Sequence, residues 1–317
     1  MNPLVSVVCL CYNHELFVAE AIHSVLNQTY PNIQLIVVDD CSTDGSVQVI
    51  REIVDNKPSI DFIHLKQNLG NCKAFNQAFE KVKGEYVIDF AADDVMLPNR
   101  IEKQVNHFQK LSNSFGVVFS NADYIDAYGN FLRNHSEHLL KKKRIKVVPQ
   151  GWIFQPVLFR YFICSPTMMI RKKVLDDLNG YDENLAYEDF DFWVRASRTY
   201  QFAYLPEVLT QVRRNIKSMS TQWYAQGDRQ LHSTYLVCQK AVGLCQTDEE
   251  KNTLLMRVRY EFKQAVFSNN KMEAKLFAEL EKKLAKHGLR FYLLSFLSRL
   301  PLPWAWVRNT YYQLRYG

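Results

Sequence analysis

An apolar run at residues 86–92 ends in two adjacent aspartates, Asp93 and Asp94. Its length and its content of β-branched and aromatic residues predict a buried strand, with both carboxylates at the carboxyl end. That end of a strand is where open α/β sheets bind ligands. Adjacent carboxylates repel each other unless a cation lies between them. From this segment alone, a divalent metal site and a cap for the helix that begins near Pro98 are equally good interpretations.

The order of strand, polar turn and helix also occurs three times before this segment. The predicted strands lie at residues 5–11, 33–38 and 61–65, and the second is followed by another acid pair, Asp39 and Asp40. Strands and helices that alternate at this spacing predict an α/β fold with a mostly parallel central sheet flanked by helices. The carboxyl edge of such a sheet would border a crevice large enough for a nucleotide.

The regular alternation stops after a helix beyond Pro98 and a strand near residues 116–121. Residues 124–150 have the composition of a loop. Their basic run at residues 141–146 is typical of a solvated segment, and a binding patch is the less favoured interpretation.

A second acidic segment, with Glu188 and Asp189, precedes a predicted helix whose apolar face includes Phe192. A last strand is expected near residues 202–212. A single α/β domain at residues 1–220 would gather the three acidic sites in one cleft at the carboxyl edge of its sheet.

Residues 221–317 have helical patterns and are predicted to form a C-terminal region of their own. The segment at residues 291–308 mixes aromatic residues with arginines and two prolines, and it is too interrupted to span a bilayer. Leu, Phe and Trp with Arg at intervals suit an element that lies in the interface of an anionic membrane. The alternative is a terminal helix that packs on the domain.

Charge, cysteine content and the N-terminal segment indicate the environment of the protein. The net charge of +6, with basic residues concentrated late in the chain, favours an anionic surface or substrate over nucleic acid. The seven cysteines have neither zinc nor redox spacing, so reduced thiols are expected. The apolar stretch at residues 4–11 is short and lacks preceding basic residues, which indicates a first strand and no signal peptide. A cytoplasmic protein, peripheral at most on the cytoplasmic face of a membrane, is therefore predicted.

The acidic sites predict a specific chemistry. A divalent ion held by Asp93, with help from Asp94, would bridge a diphosphate and stabilise the negative charge that develops on it as a leaving group. A further carboxylate could then act as a general base, provided that it lies opposite the leaving group and within reach of the acceptor hydroxyl. Asp189, on another segment, can do this.

With these motifs the sequence resembles the family 2 glycosyltransferases of the GT-A fold. The resemblance covers roughly residues 4–220. The motifs that carry it are residues 5–13, 37–46, 68–70 with Asn76, 84–98 and 187–193. Each motif is common alone, whereas this order and spacing are highly specific.

The resemblance implies a GT-A fold and a metal-dependent, inverting transfer of a hexosyl or N-acetylhexosaminyl group. The donor would be a nucleotide sugar, with UDP expected, and the acceptor a hydroxyl of a glycan or a lipid-linked saccharide in surface polysaccharide synthesis. By the same resemblance Asp93 would bind Mn²⁺ or Mg²⁺, Asp189 would be the base, and Asp40 would help the first segment to hold uracil. The residues implied in donor binding are Leu10, Tyr12, Asn13, Asp40, Gly70, Lys73, Asn76, Asp94, Glu188, Arg213 and Ser218.

Two positions depart from the family pattern. The acid usually found two residues before the metal-binding aspartate is replaced by Ala91, so metal binding is expected through Asp93. A later loop, to which Arg213 and Ser218 would belong, often has a histidine where this chain has Asn215. Asparagine cannot be charged, but it can donate a hydrogen bond to phosphate.

Other classes of protein fit the sequence less well. A sugar nucleotidyltransferase needs a glycine-rich loop after the first strand, and a dinucleotide oxidoreductase needs Gly-x-Gly-x-x-Gly there. Residues 12–15 contain no glycine. A catalytically inactive nucleotide-binding or interaction protein of this fold would have no need of Asp93 together with Asp189. Asp44 is expected to cap the helix after it, and His14 and His23 are expected to be surface or packing residues.

Overall fold

The computed structural model describes residues 2–214, 224–227, 229–286, 288–300 and 304. Within these residues nine strands form one sheet. The strands are β1 Val5–Cys11, β2 Ile33–Asp39, β3 Asp61–His64, β4 Tyr86–Ala91, β5 Val95–Met96, β6 Phe115–Ile125, β7 Phe131–Asn134, β8 Met169–Arg171 and β9 Gln201–Arg213. Their order across the sheet is β3-β2-β1-β4-β8-β6-β9-β5, with β7 beside β6.

The first half of the sheet is parallel, as the alternation of strands and helices predicts. Strand β1 pairs with β2 on one side and with β4 on the other, and β2 pairs with β3. All seven residues of β1 are buried. Complete burial is expected for a central strand covered on both faces, and it explains why β1 is apolar at every position except Ser6 instead of alternating.

The second half of the sheet is mixed. Strands β4 and β6 both pair with β8 in antiparallel fashion, whereas β9 lies parallel to β6 and antiparallel to β5. Strand β6 extends to Ile125, and β7 pairs with it, so the prediction of a loop over residues 124–150 is wrong at its beginning. The polar composition of this segment suggested a loop because β7 is exposed along most of its length and needs few apolar residues.

Twelve α-helices fall within the described residues. They are α1 Val18–Leu26, α2 Ser46–Val54, α3 Asn71–Phe79, α4 Arg100–Phe108, α5 His135–Lys141, α6 Phe154–Phe159, α7 Lys172–Asp177, α8 Asp189–Ser197, α9 Arg229–Leu244, α10 Asp248–Phe267, α11 Lys271–Leu284 and α12 Leu289–Leu297. Helix α5 was not predicted. It forms because Leu139 is buried and because the Asn134 side chain accepts a hydrogen bond from the Glu137 N–H, which caps the first turn.

The main hydrophobic core lies between the parallel strands and the helices α1 and α4. The one-sided spacing predicted for α1 is confirmed, since Val18, Ala21, Ile22 and Val25 are its buried residues. Helix α4 contributes Phe108, whose ring stacks on Tyr86 of β4 at a centroid distance of 4.7 Å. This packing fixes the strand that carries the first acid pair.

Contacts within the chain define two compact units whose segments interleave. The first unit comprises Met1–Ile153, Phe162–Glu183 and Asp191–Asn215. The second comprises Phe154–Tyr161, Asn184–Phe190 and Ile216–Gly317. The segment with Glu188 and Asp189 therefore shares its contacts with the C-terminal helices, and the predicted domain boundary at residue 220 stays a prediction.

The second unit is built from long helices with a buried polar network. Helix α10 begins with a capping box in which Thr247 and Glu250 satisfy each other's backbone N–H groups. Within α10 the guanidinium of Arg257 pairs with Glu261 at 3.1 Å. The same guanidinium lies over the ring of Tyr161 at 4.3 Å. No helix in the described part of the chain has the length and apolarity needed to cross a membrane.

Candidate active site

The strand order places the ends of β1 and β4 next to each other. In the parallel register Leu10 faces Ala91, and the Ala92 N–H donates to the Leu10 carbonyl at 2.9 Å. Strand β1 has β2 on one side and β4 on the other, so the order of the strands reverses at this point. Crevices at such points are the usual ligand sites of open α/β sheets.

Asp93 follows β4 at this edge and remains partly accessible. Its carboxylate oxygen Oδ2 lies 3.8 Å from Nε2 of His14, which follows β1. The side chains of His14 and Asp93 are 23% and 15% exposed. The structure thus brings together one carboxylate and one imidazole, although His14 was expected to be a surface or packing residue.

Asp94 differs from its neighbour because it is buried. Only 2% of the residue is exposed, and Oδ1 accepts a hydrogen bond from the Arg213 backbone N–H at 2.9 Å. Burial and the adjacent Asp93 charge raise the pKa of Asp94 well above its usual value. The suggestion that Asp94 caps α4 is wrong, since Asn99 occupies the cap position and its side chain makes no capping bond. The Asp94 carboxylate instead accepts its hydrogen bond from Arg213 of β9.

Arg213, at the end of β9, holds the loop that carries both aspartates. Its Nε donates to the Asp93 carbonyl at 2.9 Å, and one terminal nitrogen donates to Glu20 at 2.6 Å. The guanidinium carbon lies 4.6 Å from the ring centre of Phe17. Arg213 is 4% exposed, so the structure gives it a positioning role. Its predicted contact with the donor stays a prediction, and Ser218 and Asn215 lie outside the described residues.

Arg100 is a second cation whose charge acts on Asp94, and no sequence pattern predicted this role. The residue is completely buried, and its guanidinium donates to the Gln104 side chain at 3.1 Å and to the Met168 carbonyl at 3.2 Å. Burial lowers the pKa of Arg100 to about 9, and the Asp94 charge opposes that shift. The signal that could have revealed Arg100 is its position on the buried face of α4, four residues before the buried Gln104.

The loop after β1 is tied to the loop after β2. Asn13 has a positive φ of 57°, and its side-chain oxygen accepts the Thr43 N–H at 2.8 Å. Its own N–H donates to the Ser42 hydroxyl at 2.9 Å. Tyr12 is 44% exposed, whereas Leu10 is 9% exposed within β1. Of these predicted donor residues, Tyr12 and Asn13 are exposed, whereas Leu10 is buried.

Asp44 lies one residue before the cap position of α2, which Gly45 occupies, so the prediction that Asp44 is the cap residue is wrong by one position. Its Oδ1 accepts the Ser46 N–H at 3.0 Å, which satisfies one of the free N–H groups of the first turn. Backbone and side-chain hydrogen bonds lower the pKa of Asp44 against the opposing effect of burial.

Asp40 holds the loop that leads into α3. Its oxygens accept the N–H groups of Leu69 at 2.7 Å and Gly70 at 2.9 Å. Burial raises the pKa of Asp40, and the two hydrogen bonds oppose that effect. Gly70 has a φ of 81°, a conformation that glycine adopts without strain. Lys73 lies on the exposed face of α3.

Asn76 makes structural contacts within the first unit. Its amide nitrogen donates to the Tyr181 carbonyl at 2.9 Å and to Glu183 at 3.1 Å, and its oxygen accepts the Tyr181 N–H at 2.9 Å. A side chain at Gly180 would come within 2.5 Å of this oxygen, so glycine is required there. These bonds use both donors of the amide, and the predicted donor contact of Asn76 stays a prediction.

The segment that carries Glu188 and Asp189 belongs to the second unit, where α9 anchors it. The Ala186 N–H donates to the Ser233 hydroxyl at 2.8 Å, and the hydroxyls of Tyr187 and Thr234 lie 2.8 Å apart. Both acids are half-buried, and Asp189 is the first residue of α8. A carboxylate at the beginning of a helix is favoured by the helix dipole. The predicted helix after these acids is confirmed.

The candidate metal ligands are few. Within the described ranges no group of three His, Cys, Asp or Glu side chains could hold a metal ion. Mg²⁺ in nucleotide enzymes is commonly bound through one or two carboxylates plus substrate phosphates. A partly exposed Asp93 with a second, buried carboxylate behind it fits that mode of binding. The methyl group of Ala91 adds no ligand.

Comparison with solved structures identifies the fold. The first 349 residues of TarS from S. aureus, solved with UDP-GlcNAc, match with a TM-score of 0.69 and 17% identity over 93% of this chain and 88% of that chain. A mannosyltransferase of Pyrobaculum calidifontis, solved with GDP-Man and Mn²⁺, matches with a TM-score of 0.60 and 16% identity over 99% and 81%. The fold is the GT-A glycosyltransferase fold, as predicted.

Comparison with relatives identifies the family. An uncharacterised glycosyltransferase of Methanocaldococcus jannaschii is 33% identical over 216 residues, which are 67% of this chain and 71% of that protein. A relative from Rickettsia bellii is 33% identical over 201 residues, which are 62% of this chain but 28% of that protein. The family model described as glycosyl transferase family 2 matches residues 6–178. The chain therefore belongs to glycosyl transferase family 2, as its motifs indicated.

Proposed function

We propose that this protein is an inverting glycosyltransferase that transfers a sugar from a nucleotide donor to a hydroxyl group. The observation that carries the proposal is the position of Asp93, which lies partly exposed beside the end of β1 where the strand order reverses. Membership of the family, established over residues 6–178, supports the same activity.

The donor is proposed to be a UDP-sugar bound with Mn²⁺ or Mg²⁺. A protein of the same fold was solved with UDP-GlcNAc, and another with GDP-Man and Mn²⁺. Asp93 is the residue that would hold the ion. The ion would supply positive charge to the diphosphate as it leaves. The buried Asp94, together with Arg213, keeps the Asp93 loop in place.

The transfer is proposed to be a single displacement. The acceptor oxygen bonds to the anomeric carbon as the bond from that carbon to the diphosphate oxygen breaks, so the configuration inverts. Asp189 takes the proton of the acceptor hydroxyl, and the nucleoside diphosphate leaves with the bonding electron pair. Hydrogen bonds from α9 to Ala186 and Tyr187 keep the backbone beside this carboxylate fixed.

The acceptor is proposed to be a glycan or lipid-linked saccharide at an anionic membrane surface on the cytoplasmic side, with a role in surface polysaccharide synthesis. Helix α12 supports a membrane location because its outer face is apolar. Leu289, Tyr292, Leu293 and Phe296 are 86%, 60%, 55% and 60% exposed, at the spacing of one helix face. Arg290 and Arg299 flank this face, which suits binding to anionic lipid headgroups.

The test combines a donor screen with a base variant. Thermal unfolding is measured with a panel of UDP-sugars and GDP-sugars, each with and without Mn²⁺, and donor hydrolysis is followed with the same panel. We expect a UDP-sugar with Mn²⁺ to raise the melting temperature most, because a ligand that binds only the folded state stabilises it. Stabilisation by GDP-sugars alone would contradict the choice of nucleotide.

Asp189→Asn tests the base. We expect turnover to fall by about 10³-fold, within the range for a lost general base, with little change in UDP affinity. The control is Asp55→Asn, an exposed carboxylate on the end of α2. A variant that keeps near wild-type turnover would rule out Asp189 as the base.

A further inference from the structure

His14 and Asp93 are neighbours because of the sheet register, although 79 positions separate them in the sequence. His14 lies three residues after the end of β1, and Asp93 lies two residues after the end of β4. The two strands are parallel and adjacent, so both side chains come to the same point of the carboxyl edge. The fold therefore places His14 at this edge of the sheet in the same way as it places Asp93.

The distance between the two side chains suits a shared ion better than a hydrogen bond. Their closest nitrogen and oxygen are 3.8 Å apart, which exceeds the length of a hydrogen bond. Two ligands that each lie about 2.1 Å from one cation are roughly 3 to 4 Å apart. An ion between Nε2 and Oδ2 would therefore need little movement of either side chain.

The backbone of His14 is held firmly. Its N–H donates to the Ser46 hydroxyl at 2.9 Å, and its carbonyl accepts the N–H groups of Phe17 and Val18, both at 2.9 Å. The other ring nitrogen, Nδ1, is buried and makes no hydrogen bond with the described residues. The nitrogen that faces Asp93 is thus the one available to a ligand.

We infer that His14 is a second protein ligand of the ion held by Asp93, at a site where Ala91 supplies none. This inference rests on the proposed function, because the ion would be the one that accompanies the nucleotide diphosphate. One imidazole, one carboxylate and the phosphate oxygens together make a mixed nitrogen and oxygen ligand set.

A nitrogen ligand changes which metal ions are preferred. Imidazole binds first-row transition metals, and the later ones such as Co²⁺ most strongly, whereas Mg²⁺ prefers oxygen ligands. His14 therefore favours Co²⁺ over Mg²⁺ at this site, with Mn²⁺ between the two. A site formed by Asp93 and phosphate oxygens alone would discriminate less between these metal ions.

The experiment measures metal binding without turnover. Titration calorimetry follows Mn²⁺ and Mg²⁺ binding to the full chain in the presence of UDP, for wild type, His14→Ala, His14→Asp and the control His23→Ala, an exposed histidine of α1. The visible absorption of Co²⁺ bound with UDP reports directly whether nitrogen is in the ligand set. Thermal unfolding without metal checks that each variant folds.

We expect His14→Ala to weaken Mn²⁺ binding by about tenfold or more, and Mg²⁺ binding by less, with a changed Co²⁺ spectrum. His14→Asp should shift the preference toward Mg²⁺, and His23→Ala should match wild type. An unchanged Co²⁺ spectrum and unchanged Mn²⁺ affinity in His14→Ala would overturn the inference. In that event metal-dependent UDP binding by the wild type would leave the proposed function standing, whereas its absence in the wild type would count against the function itself.

Discussion

Asp93 and Asp94 are adjacent in the sequence, yet the fold gives them different tasks. Asp93 keeps an accessible carboxylate beside His14, whereas Asp94 accepts a backbone hydrogen bond from Arg213 in the interior. Arg214 and Arg100 lower the pKa of Asp94, but burial and the Asp93 charge outweigh their effect. Because charge in the interior is costly, burial favours the protonated form of this second carboxyl group.

The raised pKa of Asp94 leads to a prediction about pH. Because the pKa is higher in the folded state than in the unfolded chain, the folded state binds the proton more tightly. The free energy of unfolding should therefore fall as pH rises above the ordinary carboxyl value of about 4. In Asp94→Asn this contribution is absent, while the amide oxygen can still accept the hydrogen bond from Arg213.

The measurement is denaturant unfolding of the wild type and Asp94→Asn from pH 5 to pH 8 without metal. We expect Asp94→Asn to gain stability relative to wild type as pH rises. Asp55→Asn serves as the exposed control and should keep a constant difference from wild type. A constant difference for Asp94→Asn as well would show that Asp94 titrates normally.

Among the elements, helix α9 has an anchoring role that its sequence does not indicate. Its Ser233 and Thr234 hydroxyls hold the segment that ends in Glu188 and Asp189. Tyr187 contacts Thr234 and lies 3.3 Å from the Tyr161 hydroxyl. Burial raises the pKa of Tyr187 strongly, so its hydroxyl stays protonated and able to donate.

Thr234→Val tests this anchoring role. The substitution keeps the shape and removes the hydroxyl, so one hydrogen bond of the buried Tyr187 is lost. We expect the free energy of unfolding to fall by about 1 kcal/mol. We also expect kcat to fall several-fold at unchanged KM for the donor, because the segment next to the proposed base loses an anchor.

The matched control is Thr210→Val in β9. The Thr210 hydroxyl is buried and makes no hydrogen bond with the described residues, so its removal should leave stability unchanged or raise it. Equal effects of the two substitutions on kcat would contradict a specific role for Thr234.

At the scale of the whole molecule, the C-terminal helices have an inner and an outer apolar surface. The inner face of α12 includes Phe291, which packs on Phe262 of α10 at a ring distance of 6.0 Å. The outer face includes the exposed Leu293 and Phe296. An apolar face left open to solvent between basic residues is the pattern of an interfacial helix.

Leu293→Glu tests the membrane proposal. A charge on the outer face should weaken binding to vesicles that contain anionic lipid, measured by co-sedimentation, by about tenfold. The control is Met272→Glu on α11, a residue that is 62% exposed on a different helix. Binding of wild type to neutral vesicles should be weaker than to anionic ones. Equal sedimentation of Leu293→Glu and wild type would contradict a membrane role for α12.

Much of the first unit could be predicted from the sequence. The mostly apolar runs of β1, β2 and β4 and the one-sided spacing of α1 are local patterns, and local patterns determine strands and helices directly. The ends of the strands followed from the same patterns. The error at residues 124–150 arose where an edge strand and a short helix need little apolar sequence.

The sequence by itself determined the class of fold, the family and Asp93 as the metal candidate, because the motifs that carry them are short and continuous. Only the tertiary structure decided that His14 joins Asp93, that Arg100 and Arg213 support Asp94, and that α9 anchors the segment of Asp189. Those contacts join residues far apart in the chain. Strand order, register and helix packing determine these contacts, and local sequence patterns do not predict them.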